Sequence, residues 1–414
     1  MQRIRLEWII VLMLACTTLA QNVRREWKLE FGTSHPLPGF VGVHGDEMYS
    51  AKRGYGFEPG AVMQEAKDGC WSEKPFYFSI ALPEGNYRVR ITLGGEKEST
   101  TTVKAELRRL MLENIHTQPA ETVSRNFCVN IRTPKIAGDG TVHLKPREKQ
   151  TEMWDWDDKL TLEFDGENPG VVGVEISPAD DLPVIYLLGD STVCDQPSEP
   201  WNSWGQMLPR FFKPEVVVAN NAESGESLRS SLAAHRLDKV LSTMKEGDYL
   251  FIQYGHNDMK EKGPGVGAFT TYKSDLEFFV DQTRKHGGTP VLITSMERKA
   301  GVLHDTLGDY PAAVRKVAGE KNVALIDLNA MSKKFYRALG TDLSKAFVDG
   351  THHNNYGSYE LAKCVIEGIR QDHLPIAKYI VDGVLPFDPS HPDAIATFNI
   401  PASARKDAAK PLGN

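Results

Sequence analysis

Val184-Ile185-Tyr186-Leu187-Leu188-Gly189-Asp190-Ser191-Thr192 lies well inside the 414-residue chain, and its reading decides the fold. An apolar run ending in Gly-Asp-Ser predicts a buried parallel strand that delivers a hydroxyl to its C-terminal edge. Open α/β sheets place their ligands at that edge. Ser191 is therefore the first candidate nucleophile. Gly, Asp and Ser are also ordinary turn residues, so the tripeptide acquires meaning only from its company further along the chain.

Downstream, strand-like and helix-like stretches alternate. Strands are expected at 216–219, 249–253, 290–294 and 323–327, and helices at 204–212, around 227–244, 273–285, 310–321, 328–339 and 356–370. In the 273–285 helix, Leu276, Phe279 and Val280 face inward. With Val184–Leu188 this makes five parallel strands covered on both faces, the pattern of an α/β fold.

Upstream, residues 27–179 have an all-β texture. Short alternating pieces such as Tyr87-Arg88-Val89-Arg90-Ile91-Thr92-Leu93 are punctuated by Gly, Pro, Asp and Asn, which favours a β-sandwich over βαβ units. No polar cluster in this region reads as chemistry. Trp71, Trp154 and Trp156 are candidates for a carbohydrate platform, because an extended Trp154-Asp155-Trp156 would put both of its rings on one face; packing against the core or the neighbouring unit is the plainer reading. Ser177-Pro178-Ala179-Asp180-Asp181-Leu182-Pro183 reads as a hinge. The expected division is a signal peptide at 1–20, a β-sandwich at 27–178, an α/β unit at 183–375 and a Pro-rich extension at 376–414 packed on the α/β unit.

A formal charge of −7 and the absence of basic blocks argue against a nucleic-acid partner. Arg3 and Arg5, then an apolar core from Trp8 to Cys16, then Thr18-Leu19-Ala20, describe a secretory signal peptide cut after Ala20. A secreted or periplasmic protein with no membrane span in its mature form is expected. Ala15-Cys16 also faintly resembles a bacterial lipoprotein site, although Met13 and Leu14 fit it poorly. Cys70, Cys128, Cys194 and Cys364 show no C-x-x-C spacing; a Cys70–Cys128 bridge and buried free thiols are both open.

Four polar groupings carry the chemistry: Gly189-Asp190-Ser191, Asn220-Asn221-Ala222-Glu223-Ser224-Gly225-Glu226-Ser227, Gly255-His256-Asn257-Asp258 and Asp349-Gly350-Thr351-His352-His353. The first three follow strands, so a parallel sheet gathers them on one edge. A serine needs a base and an acid to become nucleophilic near neutral pH; His352 supplies the imidazole and Asp349 fixes its tautomer. Backbone N–H groups of Ser191, at an expected helix start, and of Gly225, with the side-chain amide of Asn257, are the expected oxyanion donors. Each such donor is worth about 3 kcal/mol in the transition state.

Ser224, His256, His353 and Arg298 are candidates for substrate contact; in Ser295-Met296-Glu297-Arg298-Lys299, Arg298 or Lys299 is the candidate for a uronate carboxylate, with a solvated loop the plainer reading. Asp190 and Asp258 read as loop braces and Cys194 as a packing residue. A rival reading takes Asp190, His256, Asn257, Asp258, His352 and His353 as ligands of a metal-dependent phosphoesterase, but the His-x-His and Asp-x-His pairs that hold adjacent metals are missing. No metal or cofactor is expected. A third reading is a carbohydrate-binding protein without turnover.

The four groupings resemble the signature blocks of the SGNH, or GDSL-type, hydrolases. Ser191 matches the nucleophile, Gly225 the glycine, Asn257 the asparagine, and Asp349 with His352 the Asp-x-x-His pair. In their fuller form they are similar to the rhamnogalacturonan acetylesterase branch. The resemblance implies a three-layer αβα sandwich with a five-stranded parallel sheet. It also implies removal of O-acetyl groups from plant cell-wall polysaccharide, pectic rhamnogalacturonan above all, through an acetyl-serine intermediate; acetyl xylan and other acetylated glycans stay open. Residues 27–178 look like the galactose-binding-like β-sandwich that accompanies some bacterial members.

Overall fold

The structure, a computed structural model, describes residues 24–407 and Lys410. The basic-apolar segment 1–20, with Cys16, lies outside the described residues.

Val184–Gly189 forms strand β1, and its alternation divides the core in two. Ile185 and Leu187 pack with Trp204, Phe335 and Leu361. Val184, Tyr186 and Leu188 pack with Leu237, Phe279 and Val314 on the opposite face. Beside β1 run Val217–Asn220 (β2), Tyr249–Gln253 (β3), Thr289–Ile293 (β4) and Ala324–Ile326 (β5), all parallel, in the order β2-β1-β3-β4-β5.

Helices Leu328–Leu339 and Asn355–Gln371 cover one face, while Leu228–Ala233, Arg236–Leu241, Lys273–Lys285 and Tyr310–Lys321 cover the other. The result is a three-layer αβα fold. Strand order reverses between β1 and β3, so a crevice opens there at the carboxyl ends of the strands. Ser191 leaves β1 into that crevice and Asn257 leaves β3.

Two sheets form the N-terminal β-sandwich. One orders Thr122–Ile131, Gly85–Gly94, Gly170–Pro178, Trp27–Phe31 and Val41–Val43, with the hairpin Gln64–Ala66/Gly69–Trp71 added at its side; the other orders Tyr55–Phe57, Phe76–Ala81, Lys159–Glu167, Ser99–Ala105 and Arg109–Thr117. Phe31, Phe78, Val89, Leu162 and Val174 fill the space between them. Strand Arg109–Thr117 has no clear sequence signal, because Arg109, Leu110 and Met111 are buried in succession and Leu112 to Ile115 are all half-buried, so the apolar alternation that marks a strand is missing.

Several expectations need correction. The 204–212 helix is one α turn, Trp204–Met207, followed by a 3-10 turn holding Pro209. Around 227–244 there are two short helices, parted by His235 at φ +59°. Trp154-Asp155-Trp156 is not extended: Met153–Asp155 is a 3-10 turn. Trp156 is buried under the guanidinium of Arg132, and Trp154 packs between Tyr77 and Arg405, so the rings form no platform. Lys97 covers Trp71. Cys70 and Cys128 are free buried thiols, as are Cys194 and Cys364.

The C-terminal extension touches both units. Lys213 N–H donates to the Tyr379 carbonyl on the α/β unit, whereas Lys104 of the β-sandwich donates to the Pro401 carbonyl at 2.9 Å.

Candidate active site

β1 ends at Gly189, where a Cβ would lie 2.5 Å from Val193 Cγ2 and 2.7 Å from the Gln253 carbonyl oxygen. The chain then makes a single turn, correcting the expected helix start at Ser191. Val193 and Cys194 N–H groups both donate to the Asp190 carbonyl. Asp190 Oδ1 accepts the N–H and hydroxyl of Thr192 at 2.9 and 2.7 Å, and Gln196 Nε2 donates to the Ser191 carbonyl at 2.7 Å. Side-chain braces, rather than a helix, present the hydroxyl.

His352 Nε2 stands 2.9 Å from Ser191 Oγ, and His352 Nδ1 stands 3.1 and 3.2 Å from the two Asp349 carboxylate oxygens. Asp349 Oδ1 also accepts the backbone N–H groups of Thr351 and His352, both at 2.7 Å. The three-residue spacing thus closes a side-chain-to-backbone turn that holds acid and base together. Burial works to raise the Asp349 carboxyl, but the His352 ring and the two backbone N–H groups hold it well below the usual carboxylate range. The edge of Trp201 meets the His352 ring at a centroid distance of 5.6 Å. Asn354 caps the helix Asn355–Gln371 immediately behind. Ser191 and His352 are nearly dry, and a hydroxyl, an imidazole and an anion in line can generate an alkoxide-like nucleophile and stabilise the imidazolium that results.

The β2 exit is a turn, Glu223-Ser224-Gly225-Glu226, closed by Glu226 N–H donating to the Glu223 carbonyl at 3.3 Å. Gly225 has φ +78° there, the left-handed conformation that glycine adopts without penalty. From the β3 exit, Asn257 Nδ2 donates to the Glu226 carbonyl at 3.0 Å and Asn257 Oδ1 accepts from Lys260 Nζ at 3.2 Å. Among the described residues, the N–H groups of Ser191 and Gly225 donate to no protein acceptor. A second amide proton of Asn257 stays available beyond the bond to Glu226.

Three of the four residues expected to contact substrate are buried with their polar atoms engaged. His256 Nδ1 faces Asp190 Oδ2 at 3.2 Å and its Nε2 faces the Met296 carbonyl at 3.0 Å. His353 Nε2 bonds the Tyr336 hydroxyl at 2.9 Å, its ring lies against Phe347, and burial pushes the imidazole down to about 3. Ser224 Oγ sits between Cys194 Sγ and Gln196 Nε2. They brace the site and do not line it, a distinction that sequence adjacency to the reactive residues conceals. Among the described residues, no group of three or more His, Cys, Asp or Glu is placed to hold a metal ion; His353 turns into an aromatic pocket, away from the Asp190–His256 pair.

Arg298, the fourth, shares a cavity wall with Asp349. It borders a cavity of about 520 Å³ with Lys260, Lys262, Asp349, Thr351 and Lys410. Among the described residues, its guanidinium hydrogen-bonds to Met259 Sδ and to the carbonyls of His256 and Thr306, at 3.3 to 3.4 Å. Burial and the neighbouring charges of Arg298 and Lys410 push the Lys260 ammonium down. A second cavity, of about 360 Å³, lies beside Gln196 and Trp201 and is walled by Lys145 and Arg147 of the β-sandwich. Lys410 borders both. A further cavity, about 670 Å³ beside Trp27 and Arg88, includes none of the four groupings.

Sequence reasoning missed Lys145 and Arg147. Lys145-Pro146-Arg147-Glu148-Lys149 is a mixed-charge run between strands and reads as a solvated loop. Trp201, Gln196 and Lys410 carried no signal either.

An αβα sheet with Gly-Asp-Ser, Gly, Gly-x-Asn-Asp and Asp-x-x-His blocks on its carboxyl edge defines an SGNH-type hydrolase. The chain belongs to the GDSL-like Lipase/Acylhydrolase family, whose sequence model matches residues 187–358. It is similar to the rhamnogalacturonan acetylesterase RhgT of Bacillus subtilis, 37% identical over 219 residues, or 48% of this chain and 94% of the relative. The rhamnogalacturonan acetylesterase of Emericella nidulans is 27% identical over 216 residues, 45% of this chain and 84% of the relative. Across 400 residues the chain is 24% identical to the uncharacterized esterase YxiM of B. subtilis, covering 87% of this chain and 96% of that one. The crystal structure of YxiM covers 84% of this chain and 99% of its own, with a TM-score of 0.47.

Proposed function

We propose that this protein is a serine esterase that removes O-acetyl groups from carbohydrate, with pectic rhamnogalacturonan as its substrate. The reading rests on one observation: Ser191 Oγ, His352 Nε2, His352 Nδ1 and the Asp349 carboxylate stand in sequence at hydrogen-bond distances. In this mechanism His352 takes the proton as Ser191 attacks the acetyl carbonyl. The N–H groups of Ser191 and Gly225 and the Asn257 amide receive the oxyanion, and imidazolium protonates the departing sugar alcohol. Water then repeats the sequence on the acetyl-serine.

A uronate-bearing backbone is favoured over neutral xylan by the cationic cavity. Among the described residues, Lys260, Lys262 and Arg298 have no carboxylate within ion-pair distance, beside a site where an acetylated sugar must lie. The names of the B. subtilis and E. nidulans relatives agree with that choice. We further read residues 1–20 as an export signal, 27–178 as the accessory β-sandwich and 183–375 as the catalytic unit.

Acetate release across a panel of acetylated polysaccharides tests the proposal. Rhamnogalacturonan should be preferred over xylan, and Ser191→Ala should leave the fold intact while abolishing release from every substrate. Turnover surviving in Ser191→Ala would sink the serine mechanism, and a preference for xylan would sink the assignment of substrate.

A further inference from the structure

The donors around Ser191 belong to the α/β unit, but the turn that carries Gly225 is held from outside it. Lys145, on the β-sandwich loop between Ile131 and Lys159, donates from Nζ to the Ser224 carbonyl at 2.6 Å and lies 2.7 Å from Glu226 Oε1. Its neighbour Arg147 donates from Nε to Glu223 Oε1 at 3.0 Å. Glu148 on the same loop receives Arg236 Nη2 at 2.7 Å, and Arg236 Nε lies 3.7 Å from Glu226 Oε1. Both carboxylates of the turn and its central carbonyl are thus gripped by one loop and its partner arginine.

The Ser224 carbonyl and the Gly225 N–H belong to a single peptide unit. That unit is planar and trans, so its C=O and N–H point in opposite directions. A cation fixed at the oxygen sets the plane and therefore aims the N–H. It also draws electron density toward the oxygen, which makes the N–H a stronger donor in a nearly dry site. Paired at 2.7 Å, the same ammonium offsets the charge of Glu226, which would otherwise oppose an oxyanion forming next to it.

We infer that Lys145 is a positioning residue for the reaction: through the Ser224–Gly225 peptide it orients and polarises the Gly225 oxyanion donor, so the β-sandwich is a working part of the active site. This rests on the serine-esterase reading. Arg147, by holding Glu223, anchors the start of the same turn.

The test compares Lys145→Met and Lys145→Arg with the full-length enzyme on a small neutral acetyl ester. Outright loss of one oxyanion donor costs about 10²–10³ in kcat, so misaiming and weakening one should cost about tenfold in Lys145→Met. KM should stay within about twofold, because the interaction strengthens only in the transition state. The shape of the pH profile should not change, and Lys145→Arg should recover most of the lost kcat. Lys145 is partly exposed, and a melting curve checks that Lys145→Met folds; if it does not, Lys145→Gln reads the same quantities. A rise in KM at unchanged kcat would make Lys145 a substrate contact and overturn the inference. So would an unchanged kcat, or an Arg variant no better than Met. Activity retained in Ser191→Ala would instead remove the serine reading itself, so the two failures are distinguishable.

Discussion

Two adjacent histidines, alike in sequence, do different things because of where their rings lie. His352 stands between Ser191 and Asp349, whereas His353 is enclosed by Tyr336 and Phe347. Burial lowers the His353 imidazole from 6.5 to about 3, so between those pH values the unfolded chain binds a proton that the folded chain does not. Stability therefore falls as pH drops through that window. Gln at this position does not titrate, and His353→Gln should lose less stability than the wild type between about pH 6.5 and 4, by about 2–3 kcal/mol, in urea unfolding at the two pH values. His352→Ala should abolish ester turnover with a small change in stability. An equal loss of turnover in both variants would mean that the base had been assigned to the wrong ring.

At the scale of elements, the strand exits are coupled by buried carboxyls that carry no chemistry of their own. Asp258, after β3, accepts the Leu228 N–H at 2.9 Å and so caps the first helix after β2. Burial, with Asp190 and Glu261 nearby, pushes its carboxyl up to about 8, although the Leu228 N–H works the other way. The folded chain keeps this proton between about pH 4 and 8 while the unfolded chain loses it, so the contribution to stability declines as pH rises through that range. Asn preserves the acceptor without the charge. The stability of Asp258→Asn relative to wild type should increase from pH 4.5 to pH 8 by about 3 kcal/mol or more, measured by chemical unfolding at each pH. A constant difference would show that the carboxyl is already ionised in the folded state.

Across the whole molecule, the β-sandwich and the α/β unit are joined by buried charge as well as by apolar packing. Arg109 of the β-sandwich donates from Nε to Asp195 at 2.6 Å, just past the nucleophile turn, and from Nη2 to Asp155 at 2.7 Å, whose other oxygen receives Arg132 at 2.8 Å. Asp195 also accepts Asn220 Nδ2 at the end of β2. Removing the guanidinium leaves two carboxylates buried with too few partners, which costs about 3–5 kcal/mol. Arg109→Met should therefore lower the unfolding free energy by that amount and reduce kcat, since Asp195 braces the segment that follows Ser191. Chemical unfolding unchanged in Arg109→Met would mean that the two units do not depend on one another.

The sequence by itself determined the parts of this protein whose information is local. Alternation in Val184–Leu188, strand–helix periodicity after it, and four short polar groupings at strand exits were enough to read the αβα sheet and to bring Ser191, Gly225, Asn257, Asp349 and His352 to one edge. Tertiary structure alone decided which polar neighbours line the site and which brace it, as with His353, Ser224 and His256. It also placed Arg298 and Lys410 on one cavity and set Lys145 against a carbonyl 79 residues away. The physical reason is that periodicity and turn chemistry act over a few residues. A charge paired across units leaves no repeat in the chain, and a lysine in a mixed-charge loop looks like a solvated one until the fold supplies its partner.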